Sequence, residues 1–314
     1  LQNLDKASDA DIERMIQYLN SLPRMKYCFK DLPLSVPSLS KWPVFEKALN
    51  QGPLLLDLHR TLHHTLVESL ASKGEWEHMC ALQVLRELKL LKAYEDFITP
   101  FSIQSNMATA RHFFYKSKIE KLAKKYLNKP LLDVFEIGAG AGNLALFLYR
   151  SGIVRNYIII DLPEMLVLSA YTLGKYIPDA QIAFADELND FPLSEQGGFV
   201  FVPAQNVDQL PNGAVDLCIN TNSFQEMDGP TRDHYIRTIY RVGRNNALFF
   251  NCNRRQSLPQ RDGSHFDNNP LLYPYANTDR VVIWQECPFQ ELARLRFNFT
   301  TSLAIMRTAL INPA

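Results

Sequence analysis

The chain has 314 residues, 46% hydrophobic and 21% charged, which is enough for a sizeable core and two structural parts. Lys plus Arg and Asp plus Glu are both 33, so no basic field exists to gather nucleic acid or an anionic membrane, and a small-molecule or glycan partner fits better. Five cysteines, Cys28, Cys80, Cys218, Cys252 and Cys287, never form a CxxC pair, which argues against a zinc site or a disulfide framework and for buried thiols in a reducing compartment.

The opening LQNLDKASDADIERM is too charged for a signal peptide, and no apolar run approaches the roughly 18 residues that cross a bilayer. A cytoplasmic protein without a membrane span is expected. Residue 1 is Leu, which leaves room for upstream sequence and a targeting segment within it. Ser8 and Asp11 resemble a capping box ahead of IERMIQYLN, and DLPLSVPSLSKWP reads as a proline-rich connector. Leu55, Leu58, Leu62, Leu66 and Leu70 then form an apolar helix stripe that closes near Gly74. On the same stretch Asp57, His59, His63 and His64 cluster, with His59 and His63 at the i, i+4 spacing of zinc ligands. No HExxH glutamate and no third ligand accompany them, so a polar helix face is the better reading and no metal is expected. Further helices are predicted over 76–94 and 109–127, the latter with Phe113, Phe114, Ile119, Leu122 and Tyr126 on one face. Residues 1–128 thus read as a helical domain, a cap over substrate or cofactor that leaves room for homo-oligomer contacts.

After Pro130 the pattern changes. LLDVFEI, YIIID, FVFVP, VDLCIN and ALFFN are short runs rich in Ile, Val, Leu and Phe, the signature of strands buried on both faces. Helices fall between them at about 142–150, 163–176 and 230–243. This alternation predicts a doubly wound, Rossmann-like, mostly parallel α/β sheet over 129–314.

The first strand runs into GAGAG and then a helix. Gly138, Gly140 and Gly142 permit a tight turn and bring backbone N–H groups close to a ligand at the helix start. A dinucleotide fingerprint places its third glycine five residues after the first, yet position 143 is Asn, so the spacing is ExGxGxG. Glu136 near the strand end opposes a pyrophosphate and suits a cation, such as the sulfonium and ammonium groups of S-adenosylmethionine. Asp161 closes YIIID, placed to accept both ribose hydroxyls, with Leu162 next to it. After FVFVP, the residues Ala204, Gln205 and Asn206 are candidates to flank the adenine, and an ordinary connection explains them too.

ExGxGxG, the Asp161 strand end and LPNGAVDLCI together resemble class I S-adenosylmethionine-dependent methyltransferases over most of 129–252. More closely, EIGAGAGNLA, IIDLPEML and INTNSFQEM resemble the bacterial sugar O-methyltransferase family, the last through Asn220, Ser223, Phe224, Gln225, Glu226 and Met227. The resemblance implies a seven-stranded sheet, S-adenosylmethionine as cofactor, with Gly138, Ala139, Gly140, Gly142 and Asn220 around it, and methyl transfer to a sugar hydroxyl. A catalytically silent fold used as a binding module and a methyltransferase of a non-sugar molecule are the alternatives.

A sugar hydroxyl is a poor nucleophile, so a general base is expected. Glu226 lies just past the fourth strand and is the first candidate; a structural carboxylate capping helix 230–243 fits it equally. His265, in the polar insertion RDGSHFDNNPLLYPYANTD, is the second, while His234 falls inside a helix and reads as structural. Asn222, Gln225, Asn251, Asn253 and Arg254 are candidates to bond the acceptor, and Tyr273, Tyr275 and Trp284 to stack on it, although aromatics near strand ends are as often core. Arg111 or Tyr115, in SNMATARHFFYKSK, could reach the cofactor carboxylate; a plain amphipathic helix explains that stretch too. Asp161, Asp186 and Asp216 do not by themselves specify magnesium, and Asn298-Phe299-Thr300 matches a glycosylation sequon that such triplets often match by chance.

Overall fold

A computed structural model describes residues 77–184, 197–255, 269–297 and 303–312. The Ser8 cap, the proline-rich connector, the leucine stripe, the Asp57 to His64 cluster, Asp186, His265 and the sequon lie outside the described residues.

Residues 77–87 are helical (α1). The single helix predicted over 76–94 is two, because Lys89 takes a left-handed φ of 59° and the chain restarts as α2, Leu91–Ile98. Helix α3, Met107–Tyr126, begins two residues earlier than its periodicity suggested. Asn106 accepts from the Thr109 backbone N–H while Thr109 accepts from that of Asn106, a reciprocal cap that satisfies two otherwise orphaned donors.

From there strands and helices alternate: β1 Leu132–Ile137, α4 Asn143–Arg150, β2 Val154–Asp161, α5 Pro163–Tyr176, β3 Ile182–Phe184, β4 Gly198–Pro203, β5 Val215–Thr221, α6 Gly229–Val242 and β6 Gly243–Arg254. β7 Arg280–Glu286, α7 Pro288–Phe297 and β8 Ala304–Ile311 complete the order. The strands form one sheet, β3-β4-β2-β1-β5-β6-β8-β7. Neighbours from β3 to β6 pair in parallel, and β8 is antiparallel to both β6 and β7. The mostly parallel doubly wound sheet is thus present, with eight strands among the described residues where seven were expected. The additional one is the three-residue β3, which extends the edge beyond β4.

Side chains alternate across this sheet. On β1, Leu132 and Val134 join the face covered by α3, α4 and α5, where Phe113, Phe114, Phe147 and Leu173 pack. Phe135 and Ile137 join the opposite face beneath α6, with Tyr235, Ile236 and Ile239. Successive side chains point to opposite faces, so the continuous apolar runs of β1, β2, β4 and β5 require both faces to be covered. Val84, Tyr94 and Phe113 from α1 to α3 share the first of these cores with the sheet. No helix among the described residues is long and apolar enough to cross a membrane.

Candidate active site

The chain runs from β1 outward to β2 and β4, then returns across β1 to β5 and β6. The crevice between the carboxyl ends of β1 and β5 is therefore the topological switch point, where open α/β sheets take their ligands. The loop 138–142, Asp161, Ala204 to Asn206, Asn222 to Glu226 and Arg254 all follow carboxyl ends of these parallel strands.

All three loop glycines have left-handed φ, +72°, +59° and +75° at Gly138, Gly140 and Gly142, but for different reasons. A Cβ on Gly138 would lie 2.3 Å from Ser223 Cβ, so that glycine admits the segment after β5. A Cβ on Gly142 would lie 3.1 Å from Ser169 Cβ, so that one lets α5 close on the start of α4. At Gly140 the nearest atom is Met165 Cε at 4.0 Å. A Cβ at this middle position would meet only the flexible end of one side chain.

Asp161 is docked into this loop. Its Oδ2 accepts the Gly140 N–H at 2.9 Å, and its Oδ1 accepts the Leu162 N–H at 2.8 Å. A carboxylate thus takes up one backbone donor of the glycine loop. Beyond it, Ala204, Gln205 and Asn206 open a 3-10 turn, Ala204–Gln209, directly after β4, whose Pro203 pairs in register with Asp161. Gln205 is exposed and the other two are half-buried.

Glu136 corrects the electrostatic expectation. Strand periodicity places it on the face of Leu132 and Val134, where it is 1% exposed, and the Tyr157 hydroxyl donates to its Oε2 at 2.7 Å. Burial pushes its pKa up to about 8, against the pull of the Tyr157 hydrogen bond and with a further push from the Asp161 charge. At neutral pH it is mainly protonated, so it offers a cation no full charge. The acid beside the ligand space is Asp161.

Several acceptor candidates form a buried ladder behind the site. The Asn220 amide donates to Ile137 O (3.0 Å) and to Ser223 Oγ (2.5 Å), and Asn253 donates to Asn220 Oδ1 (2.7 Å) and to Asn251 Oδ1 (2.5 Å). Asn251 in turn donates to the Tyr275 hydroxyl at 2.7 Å. Gln225 donates its N–H to Asn253 and accepts the Arg254 N–H at 2.9 Å. With Asn220, Asn251 and Asn253 at 0% and Gln225 at 4% exposure, the ladder fixes the ends of β5 and β6 relative to each other. Tyr273 and Tyr275 belong to the core beneath α6: Tyr273 packs edge-on against Phe224, and Tyr275 covers the Arg307 guanidinium at 3.8 Å. Trp284 stands near the same arginine, at 5.4 Å. Tyr273 and Tyr275 thus have core partners, while Trp284 is 48% exposed. Asp216, near the start of β5, binds Lys129 and Arg244 at the sheet end opposite Asp161, so the two do not share a site.

What the crevice brings together is Glu226, Arg254 and Arg111. Glu226 ends the 3-10 turn Phe224–Glu226 and is exposed in the crevice. The surrounding protein raises its pKa by desolvation, opposed by the charges of Arg254 and Arg111. Asp228, not Glu226, caps α6, accepting the Thr231 N–H at 2.7 Å. His234 of α6 lies 3.2 Å from Asp208. Two contributors escaped sequence reasoning. Ser223 seats the loop by donating to Ile137 O at 3.1 Å, a residue visible in NTNSFQEM but without an assigned task. Gln290 of α7 donates to Tyr115 and to Asn222, each at 3.4 Å, and nothing in PFQEL announces it.

No known family profile matches the chain, and no curated protein does. Among solved structures it is similar to 1,6-didemethyltoxoflavin-N1-methyltransferase of Burkholderia thailandensis, a complex with 1,6-didemethyltoxoflavin and S-adenosylhomocysteine. Identity is 16% and the TM-score 0.43, over 73% of this chain and 88% of that one. It is similar to the cyclase SpnF at 16% identity and TM-score 0.41, over 63% and 82%. An S-adenosylmethionine-dependent methyltransferase from Mesorhizobium loti is similar at 12% and 0.39, over 57% and 90%. Likeness at this level transfers no residue role.

Proposed function

We propose that the chain is an S-adenosylmethionine-dependent O-methyltransferase whose acceptor is a small molecule, a sugar or glycan precursor by its resemblance to that family. The observation that carries this reading is the Asp161 carboxylate held in the glycine loop by the Gly140 N–H. The ExGxGxG spacing departs from the dinucleotide fingerprint, and the acid beside the loop tolerates a ligand with cationic groups. At Gly140 only the flexible end of Met165 comes near, so a ligand can approach the loop there. In this reading residues 129–314 hold the cofactor and the helices before them cap it.

The residues at hand fit the cofactor by type. Gly138, Ala139, Gly140 and Gly142 line the methionine and ribose side, Asp161 and Leu162 the ribose, Ala204, Gln205 and Asn206 the adenine. Arg111, whose buried Nε has no partner, meets the carboxylate. S-adenosylmethionine bound there would supply an electrophilic methyl group, leaving as S-adenosylhomocysteine. The chain aligns the acceptor, and Glu226 takes the hydroxyl proton when ionised. His265 stands as the second base.

The test is release of S-adenosylhomocysteine in the presence of a panel of neutral sugars, uronic acids and sugar phosphates. Glu226→Gln is expected to lose about 10²-fold or more in kcat with cofactor affinity unchanged. Because a base acts deprotonated, wild-type turnover should rise with pH through the raised Glu226 pKa. Turnover of the variant at the wild-type rate, with the same pH profile, removes Glu226 from the role and leaves His265→Ala as the next variant. No release with any acceptor favours a silent binding fold.

A further inference from the structure

Ten buried side-chain polar atoms among the described residues have no hydrogen-bond partner, and four of them belong to this crevice: Arg111 Nε, Arg254 Nε, Asn222 Nδ2 and Gln290 Oε1. Gln290 donates to both Asn222 and Tyr115, and Tyr115 is one turn from Arg111 on α3. The charges of Arg111 and Arg254 act on each other, and Glu226 is the carboxylate whose charge acts against both. Two guanidinium groups and one carboxylate leave a net positive charge, and three of the four unpaired atoms, Arg111 Nε, Arg254 Nε and Asn222 Nδ2, are donors.

Unpaired buried donors cost free energy, and a like-charged neighbour adds to that cost. Such an arrangement stores an affinity for an anion. The cofactor's own carboxylate accounts for one arginine, Arg111, which lies on the helix before the sheet. Arg254 remains. Its backbone N–H is fixed to Gln225, the neighbour of Glu226, so the guanidinium and the candidate base stand on adjoining segments held by one hydrogen bond.

We propose that the crevice contains an anion subsite in which Arg254, together with Asn222 Nδ2, binds a carboxylate or phosphate carried by the acceptor. The subsite rests on the unpaired donors; the word acceptor, and the assignment of Arg111 to the cofactor, rest on the methyltransferase reading. Guanidinium matches both oxyanions through two parallel N–H donors, whereas a neutral hydroxyl leaves the excess charge unmatched. An anionic acceptor anchored at Arg254 has its hydroxyl delivered beside Glu226, which explains why clamp and base are tied through Gln225.

Isothermal titration with inorganic phosphate and with succinate, at fixed ionic strength, tests the subsite on the full chain, alone and saturated with S-adenosylhomocysteine. At least one anion should bind in both states. Arg254→Gln should weaken it at least about tenfold, and Arg254→Lys, which keeps the charge and loses the fork, should weaken it less. Arg254→Gln is compared at matched S-adenosylhomocysteine affinity and melting temperature, with Arg254→Lys as the fallback if it fails to fold. The proposal is overturned if neither anion binds, if Arg254→Gln binds as wild type does, or if S-adenosylhomocysteine abolishes anion binding because its carboxylate occupies both arginines. Anion binding without any S-adenosylhomocysteine binding keeps the subsite and removes the methyltransferase reading instead.

Discussion

Gly138, Gly140 and Gly142 look alike in GAGAG and differ in what a methyl group would strike. Gly138→Ala drives a Cβ into Ser223 at 2.3 Å from a backbone at φ +72° and should destabilise the fold by about 1–3 kcal/mol. Gly140→Ala pays only the left-handed φ, about 1–2 kcal/mol, yet should lower S-adenosylmethionine affinity at least about tenfold, because its methyl enters the ligand space. Denaturant melts and calorimetric titration of both variants separate the two effects; equal affinity losses would contradict the division.

Glu136 carries a pH signature at the same scale. Its proton leaves near 4.5 in the unfolded chain and near 8 in the fold, so between those values the native state binds the extra proton and stability falls as pH rises. Glu136→Gln has no proton to lose and can still accept from Tyr157. Its melting temperature relative to wild type should climb from pH 5 to pH 8, and a constant difference would place the carboxyl elsewhere. The acid of ExGxGxG was plain in the sequence, but its charge state was not, since that depends on Tyr157 arriving from β2 and on α4 covering the face.

At the level of elements, the parallel strands were readable because burial on both faces leaves continuous apolar runs. β7 and β8 were not among the runs singled out. β7 is an edge strand with Arg280, Val281, Trp284 and Gln285 exposed, so it lacks the buried pattern. β8 is buried throughout but carries Arg307 at its centre, 1% exposed, paired with Asp279 at 2.5 Å and covered by Tyr275. The same pairing explains why Tyr275 and Trp284 resembled sugar-stacking residues: an aromatic beside a strand looks identical in sequence whether it faces a ligand or a buried cation. Tyr240 of α6 donates to Asp279 at 2.6 Å, so this cluster ties α6 to the antiparallel edge. Arg307→Ala strands a buried carboxylate and should cost about 3–5 kcal/mol, while Arg307→Met combined with Asp279→Asn should recover much of it. Chemical denaturation checks both; an Arg307→Ala loss below 1 kcal/mol, on the order of a surface pair, would show the cluster is not buried in solution.

Across the whole molecule, the switch point at β1 and β5 gathers segments far apart in sequence, from Arg111 to Arg254, into one crevice. The glycine loop and the Asp161 strand end were legible, because loop spacing and a strand-end acid are local patterns. The rest of the crevice was not: Asn251 and Asn253 turned inward to a polar ladder, and Gln290 entered from α7, outcomes decided by which strands become neighbours. The central claim is that the ExGxGxG loop, with Asp161 bound to its Gly140 N–H, holds a sulfonium cofactor rather than a dinucleotide. Calorimetric titration of the full chain with S-adenosylmethionine and with NAD, on wild type and Asp161→Ala, tests it most directly. The account requires S-adenosylmethionine binding that Asp161→Ala largely removes and no NAD binding; tight NAD binding with none of S-adenosylmethionine would contradict it.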